Sequence, residues 1–343
     1  MIVRGPVARA AFLLAIGGAF GATGCHRAER APDGLAEADA GHAGASASVA
    51  AGAADASGNA SGASDAGDVD EAYLRASPRT GRSIGHTSVV FKVELSGGKK
   101  AAFKPASRRG PKRYKGEIAA YRLAVALGLT NVPPAMLRTF RDPEFASALG
   151  GAATPSGELY AKEALVTDGA VKGAIIPWID KLEFLPLESE PWRSRWRAWL
   201  TSGATIPDDQ KVLARDVSTM LAFDWLTGNW DRWSGGNIGF DSTRGTLLYI
   251  DNDGAFFDAP PADALAKSRR LVEGVDRWST SFVTRLRSLD EAALGRALGE
   301  ESPGAPLLGD KALAGVVHRR AELLRIVDAK IGDAGADATL AFP

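Results

Sequence analysis

Apolar and polar positions along this chain follow two periods, and the change from one to the other divides it. Alternation with period two marks Val89–Leu95 as a strand, Gly97-Gly98 as a turn and Lys100–Lys104 as the returning strand. Glu117–Gly128 follows with apolar positions at helical spacing. After the extended connector Val132-Pro133-Pro134, Leu159–Val166 and Val171–Ile176 read as two more strands. The second leaves through Ile175-Ile176-Pro177-Trp178-Ile179, where the proline suits a hinge. Helical spacing then governs Pro191–Leu200, Asp208–Thr227, Ala262–Gly274, Ser279–Leu286, Asp290–Leu298 and Asp310–Ile331. In the second of these, Met220, Leu221, Trp225 and Leu226 form the stripe, and Gly228 with Asn229 ends it. A hairpin interrupts the helices: Ile238–Phe240 and Thr246–Ile250 flank Asp-Ser-Thr-Arg-Gly. Trp192, Trp196, Trp199 and Trp278 are expected in the core, and the last dozen residues frayed. Strands first and helices after predict an α+β chain in two lobes. A small β-rich lobe with one helix takes residues 79–180, and a larger helical lobe takes 181–335.

Neither period holds at the start of the chain. Arg4 and Arg9 precede an apolar run, Ala10–Gly21, of signal-peptide length. It ends in Ala22-Thr23-Gly24-Cys25, which resembles a bacterial lipoprotein signal, with Ala22 where a leucine is usual. The resemblance implies a signal peptide over residues 1–24 and a lipidated Cys25, each buried CH₂ adding ~0.8 kcal/mol to the anchor. The protein would then be exported and held on a bacterial membrane, on the periplasmic side or the cell surface. Residues 25–78 are rich in Ala, Gly, Ser and Asp, with no aromatic between Phe20 and Tyr73. Such a stretch buries too little apolar surface to offset chain entropy and reads as a disordered tether.

Composition removes several function classes. Acidic and basic residues balance at 41 each, so no global field draws nucleic acid. Cys25 is the sole cysteine, which rules out an intrachain disulfide. His26, His42, His86 and His318 are too scattered for a zinc site.

The candidate chemistry lies around two hairpins. The later one folds Asp231, Asn237 and Asp251 back toward one point, with Asn252 and Asp253 beside them. Two carboxylates and an amide oxygen form a hard-oxygen cluster suited to Mg²⁺, with one acid left to orient a hydroxyl. Either aspartate alone reads as an ordinary turn residue; the ordered set does not. On the earlier hairpin, Lys104 ends a strand. The turn before it, with Gly85, His86, Thr87 and Ser88, can present backbone N–H groups to phosphates. Glu117 sits in the first turn of its helix, as a helix-dipole carboxylate or as the partner of Lys104. The basic loop Arg108, Arg109, Lys112, Arg113 and Lys115 reads as a solvated face.

Taken together, four stretches resemble the atypical secreted kinases of the Golgi casein kinase type, and more distantly the phosphatidylinositol kinases and HipA toxin kinases. They are Ala102-Phe103-Lys104-Pro105, Glu117–Tyr121 with Val132-Pro133-Pro134, Phe223–Arg232, and Ile250-Asp251-Asn252 with Phe256. The resemblance implies a bilobal protein-kinase-like fold using ATP with Mg²⁺ or Mn²⁺. It places Lys104 on the phosphates, Glu117 paired with it, Asp231 as catalytic acid/base and Asp251 as metal ligand. Asn237 and Asp253 are further candidate ligands. An adenine would lie against the apolar hinge. Three departures stand out. Trp233 replaces the usual His or Gly, Asn237 follows Asp231 by six positions where five is usual, and Asp253 stands where the family has Gly. The acceptor is an unspecified hydroxyl on protein, sugar or lipid. The alternative is a catalytically inactive kinase-fold binding protein. A hydrolase with Asp231 and Asp251 as paired carboxylates leaves Lys104 and Glu117 without a role.

Overall fold

The alternation around Gly97-Gly98 does form a hairpin, and a sheet grows from it. The structure, a computed structural model, describes residues 71–85 and 88–343. Strands β1 (Pro78–Ser83), β2 (Phe91–Leu95) and β3 (Lys100–Pro105) pair antiparallel. Helix α1 (Arg113–Ala126) follows, then β4 (Met136–Arg141), α2 (Asp142–Ala148), α3 (Pro155–Glu163), β5 (Val166–Thr167) and β6 (Ala170–Pro177). The strand order is β1-β2-β3-β6-β4, with β5 also on β6. Because side chains alternate across a strand, Phe91, Val93 and Leu95 all face one side and are buried there. Helices α2 and α3 cover that side with Phe145 and Tyr160. The ring of Phe145 lies 5.0 Å from those of Phe103 and Phe140.

The run Leu159–Val166, expected as a strand, is instead the end of α3 followed by the two-residue β5. The cause lies just upstream. Thr154 caps the helix by accepting from the Gly157 N–H at 3.0 Å, and Pro155 occupies its first turn. The sheet starts earlier than the composition suggested. Residues 71–75 form a helical turn, and Tyr73, Leu74 and Ala76 pack against the sheet's core. The rest of the expected tether, the signal segment and Cys25 lie outside the described residues.

The second half is β7 (Glu183–Phe184), α4 (Trp192–Trp199), α5 (Lys211–Thr227), β8 (Ile238–Asp241), β9 (Thr246–Tyr249), α6 (Ala262–Glu273), α7 (Thr280–Ser288) and α8 (Glu291–Leu298). A small hairpin, β10 (Glu300–Ser302) with β11 (Ala305–Pro306), and the long α9 (Asp310–Ala334) complete it. Strands β7, β8 and β9 form a separate sheet in that order. From Asp216 to Thr227, α5 is buried on every side, so it is the central post of this lobe. Trp196, Trp199 and Trp278 are buried as expected, and Trp192 is half-buried. The C-terminal residues are not frayed. Trp278 N–H donates to Thr339 O at 2.7 Å, Phe342 N–H donates to Trp278 O at 3.1 Å, and the Phe342 ring is buried.

Two apolar clusters result. One lies under the sheet, with Phe91, Val93, Phe103, Phe140, Phe145 and Ile175. The other is centred on α5 and includes the buried face of α1: Ile118, Ala119, Ala120, Leu123 and Ala124. Helix α1 therefore falls between strands of the sheet in sequence but belongs by packing to the large lobe. Among the described residues no helix is long and apolar enough to cross a membrane.

Candidate nucleotide and metal site

Strand β3 turns Phe103 into the core, so its neighbour Lys104 faces the opposite side, toward α1. There the Lys104 ammonium donates to Glu117 Oε1, lies 2.5 Å from Asp251 Oδ1 and is 3.8 Å from Asp253 Oδ2. Four of the predicted residues thus form one cluster. Burial works against charge on Lys104, but Glu117, Asp251 and Asp253 outweigh it and keep the ammonium above the ordinary lysine range. Burial also opposes ionisation of Asp251, yet Lys104 holds its carboxyl below the usual value. Asp253 goes the other way. Burial pushes its carboxyl up to about 6, aided by Asp251 and Glu117 against Lys104 and Arg113. Three carboxylates on one ammonium leave a local excess of negative charge.

The turn that carries the aspartates is strained. Asp251 has φ +56°, a left-handed conformation that costs a non-glycine residue roughly 1–3 kcal/mol. Its neighbours on both sides are tied down. Asn252 N–H donates to Glu117 Oε1 at 3.0 Å, and the Ile250 carbonyl accepts from Arg232. The close approach of α1 needs Gly116, where a Cβ would sit 2.6 Å from Asn252 O.

Arg232 is the hub that the sequence did not reveal. It is fully buried, and its guanidinium binds Asp224 of α5 at 3.1 Å, Asn237 O at 2.8 Å and Asn252 Oδ1 at 2.6 Å. The loop bearing Asp231 and the turn bearing Asp251 are thereby joined through one side chain. Burial raises the Asp224 carboxyl to about 6 against the pull of Arg232. An acid inside the otherwise apolar run Leu221–Leu226 was the available signal, since buried carboxylates are almost always paired.

Asp231 is half-buried in the loop after α5. Its N–H donates to Asn229 Oδ1 at 3.1 Å, and its carbonyl accepts from Asn237 Nδ2 at 2.9 Å. Asn237 also donates to Ser234 Oγ at 3.2 Å, and among the described residues no donor reaches its Oδ1. The amide is therefore turned so that its oxygen remains available. Gly235 (φ +93°) and Gly236 (φ +77°) in this loop both take a positive φ, which favours glycine. Trp233 packs its ring 5.9 Å from Trp196, so it serves the core.

A cavity of about 680 Å³ opens beside the cluster, lined by Gly85, Ser88, Ala102, Lys104, Glu117, Gly236 and Asp251 and by the hinge Ile176–Ile179. His86 and Thr87 lie outside the described residues. Of the basic loop, Arg108, Arg109 and Lys112 are exposed as expected, whereas Arg113 and Lys115 are half-buried. Arg109 pairs with Glu163 at 3.1 Å, Arg113 with Asp253 at 3.5 Å and Lys115 with Glu301 at 2.8 Å. Those acids lie far along the chain, so the sequence could not disclose the pairing.

Among the described residues no three acidic, histidine or cysteine side chains are grouped as a ready-made ion site. The donors on the aspartate turn are the carboxylates of Asp251 and Asp253; Asn237 belongs to the neighbouring loop, joined to that turn through Arg232. Hard oxygens in excess negative charge fit an ion that completes its shell with phosphate and water, as Mg²⁺ commonly does.

A sheet with one helix behind its lysine, a hinge, and a helical lobe carrying two acidic loops define a kinase-like fold. Solved structures agree. The chain superposes on the Golgi casein kinase with TM-score 0.61 at 15% identity, over 80% of this chain and 78% of that one. The same kinase with Mn/ADP bound gives 0.61 at 16%, over 82% and 79%. Fam20 from hydra, solved with sugar, gives 0.57 at 17%, over 78% and 89%. At such identity the likeness establishes the bilobal fold of these kinases. No family model and no curated protein matches the chain.

Proposed function

We propose that this chain is an ATP-dependent phosphotransferase, assisted by Mg²⁺ or Mn²⁺, acting on a hydroxyl of a protein, sugar or lipid. The observation that carries the reading is the Lys104–Glu117–Asp251 group at the wall of a cavity of about 680 Å³, with the buried Asp253 3.8 Å from Lys104. Volumes of roughly 300–1,000 Å³ suit a nucleotide-sized ligand. The Mn/ADP complex of the Golgi casein kinase supports the choice of ligand. The lipoprotein-type start supports display on a bacterial membrane through Cys25, with residues 79–180 and 181–335 as the two lobes.

In this reading the Lys104 ammonium lies against the phosphates and Glu117 holds it there. Gly85 and Ser88 lie beside the phosphates, and the hinge flanks the base. A divalent cation, held by Asp251, Asp253 and Asn237, would neutralise phosphate charge. The acceptor oxygen bonds to the γ-phosphorus as the bond to the β-phosphate oxygen breaks, and Asp231 takes the hydroxyl proton. Such catalysis is mainly positioning and charge neutralisation.

The test combines a thermal shift with ADP and Mn²⁺ and transfer of label from ATP. A nucleotide at about 100 Kd should add ~2.7 kcal/mol of apparent stability. Asp231→Asn should abolish transfer and keep the shift, whereas Asp251→Asn should lose both. A shift without transfer in the unaltered chain selects the inactive, nucleotide-binding alternative. No shift with any nucleotide rejects the assignment.

A further inference from the structure

Glu301 lies far along the chain from every motif above, yet its carboxylate has three side-chain partners. It stands on β10, and its side chain is only 5% exposed. It accepts from the Tyr114 hydroxyl, from Lys115 Nζ at 2.8 Å and from Lys172 Nζ at 3.1 Å. Burial opposes its charge, but the bonds from Lys115, Tyr114 and Lys172 hold the carboxyl below the usual range. Tyr114 and Lys115 belong to α1, and Lys172 to β6. Farther along the same helix, Arg122 Nη1 donates to Leu298 O at 2.6 Å and Glu300 O at 2.9 Å. One short stretch, Leu298–Glu301, therefore grips α1 at two places, separated by about 12 Å at ~1.5 Å rise per residue. Glu117 lies between them, on the turn after Tyr114. A helix held at one place can roll or tip; held at two it can do neither.

We propose that Glu301 is a positioning residue for the nucleotide site. It fixes the roll and depth of α1 so that Glu117 stays on Lys104 and on the Asn252 N–H. Glu301 itself touches no ligand. The proposal rests on the phosphotransferase reading, which the experiment keeps separate. It also gives Tyr114 and Lys115, left without a role by the motifs, a place in the same mechanism.

The experiment uses the full chain, with Glu301→Ala, Glu301→Gln, Glu301→Lys, and Glu301→Lys combined with Lys115→Glu. ADP with Mn²⁺ is the binding probe, and labelled ATP gives KM and kcat. Loss of such a supporting contact should weaken nucleotide binding and raise the ATP KM by roughly tenfold or more. Circular dichroism should stay unchanged, and the charge exchange should recover most of the loss seen in Glu301→Lys. Amide hydrogen exchange along residues 113–126 should quicken in Glu301→Ala. The proposal is overturned if Glu301→Ala is folded and binds nucleotide as the unaltered chain does, or if the exchange pair is no better than Glu301→Lys. Should Glu301→Ala not fold, Glu301→Gln decides: unchanged exchange along α1 and unchanged KM overturn it. If the unaltered chain shows no nucleotide shift, the phosphotransferase reading fails, and exchange along α1 alone decides whether Glu301 holds the helix.

Discussion

Replacing Gly116 by alanine sets helix propensity against close packing, and the structure says which wins. Within a helix, Gly→Ala normally stabilises by about 0.5–1 kcal/mol. At Gly116, however, the new Cβ would meet Asn252 O at 2.6 Å and Ala255 O at 3.3 Å, both backbone atoms that cannot swing aside. Reaching the 3.4 Å of ordinary contact means moving α1 or the aspartate turn by about 0.8 Å. Overpacking of this kind costs about 1–3 kcal/mol, so the net change should be a loss of up to about 2 kcal/mol. The larger effect is on the site. Glu117 is the next residue, and a displacement near 1 Å in a catalytic constellation can cost about a hundredfold in rate. Gly332 supplies the internal control. It lies exposed inside α9, and a Cβ there meets nothing within 4 Å. Gly332→Ala should therefore gain about 0.5–1 kcal/mol, near 2 °C in Tm for a chain of this size. Urea and thermal denaturation read the first arm, and label transfer with the ADP/Mn²⁺ shift reads the second. If Gly116→Ala is stabilised like Gly332→Ala and keeps full nucleotide binding, the tight seat of α1 on the turn is refuted.

Two further outcomes arise from buried charge. Arg232→Ala would leave Asp224 buried without its cation, a change that typically costs about 3–5 kcal/mol; urea unfolding showing less than about 1 kcal/mol would contradict the hub. The pH profile of stability should bend in opposite senses at two acids. The Glu301 carboxyl is held below its unfolded value of about 4.3, so its contribution is present above that pH and is lost as acid takes it through the lower folded value. Asp253 is raised to about 6, so the folded chain holds its proton longer, and this group's contribution falls as pH rises from about 4 to about 6. Thermal scans of Glu301→Gln should be flatter below about pH 4.3, and scans of Asp253→Asn flatter between about 4 and 6; identical profiles would remove both assignments.

The site's outline was legible because its parts lie where local chemistry marks them. Lys104 ends an alternating strand, Glu117 opens a helix, and Asp231 and Asp251 flank a hairpin whose turn residues are unambiguous. The connections among those parts were not legible. Arg232 reaches Asp224, Asn237 and Asn252 at once, and a sequence does not say that a guanidinium between two loops is buried. The ion pairs of the basic loop were hidden for the same reason, since Glu163 and Glu301 reach it only through the tertiary fold. The strand expected at Leu159–Val166 failed on a local cue, because the cap at Thr154 precedes the apolar run and commits it to a helix. The C-terminal residues are expected to fray as a terminus does, while Phe342 has a slot beside Trp278.

The two apolar clusters meet at Lys104, whose partner across the β3–β6 ladder, Ala174, belongs to the cluster around α5. The lysine's strand neighbours, Ala101 and Phe103, are anchored under the sheet, whereas Ile118 and Ala119 beside the glutamate are anchored around α5. Any movement of α1 away from the sheet must therefore pull the ammonium from its acid. In the proposed phosphotransferase reading, emptying the cleft and disarming it are then a single movement, so a gaping molecule would hold no assembled charge pair with which to waste a triphosphate on water.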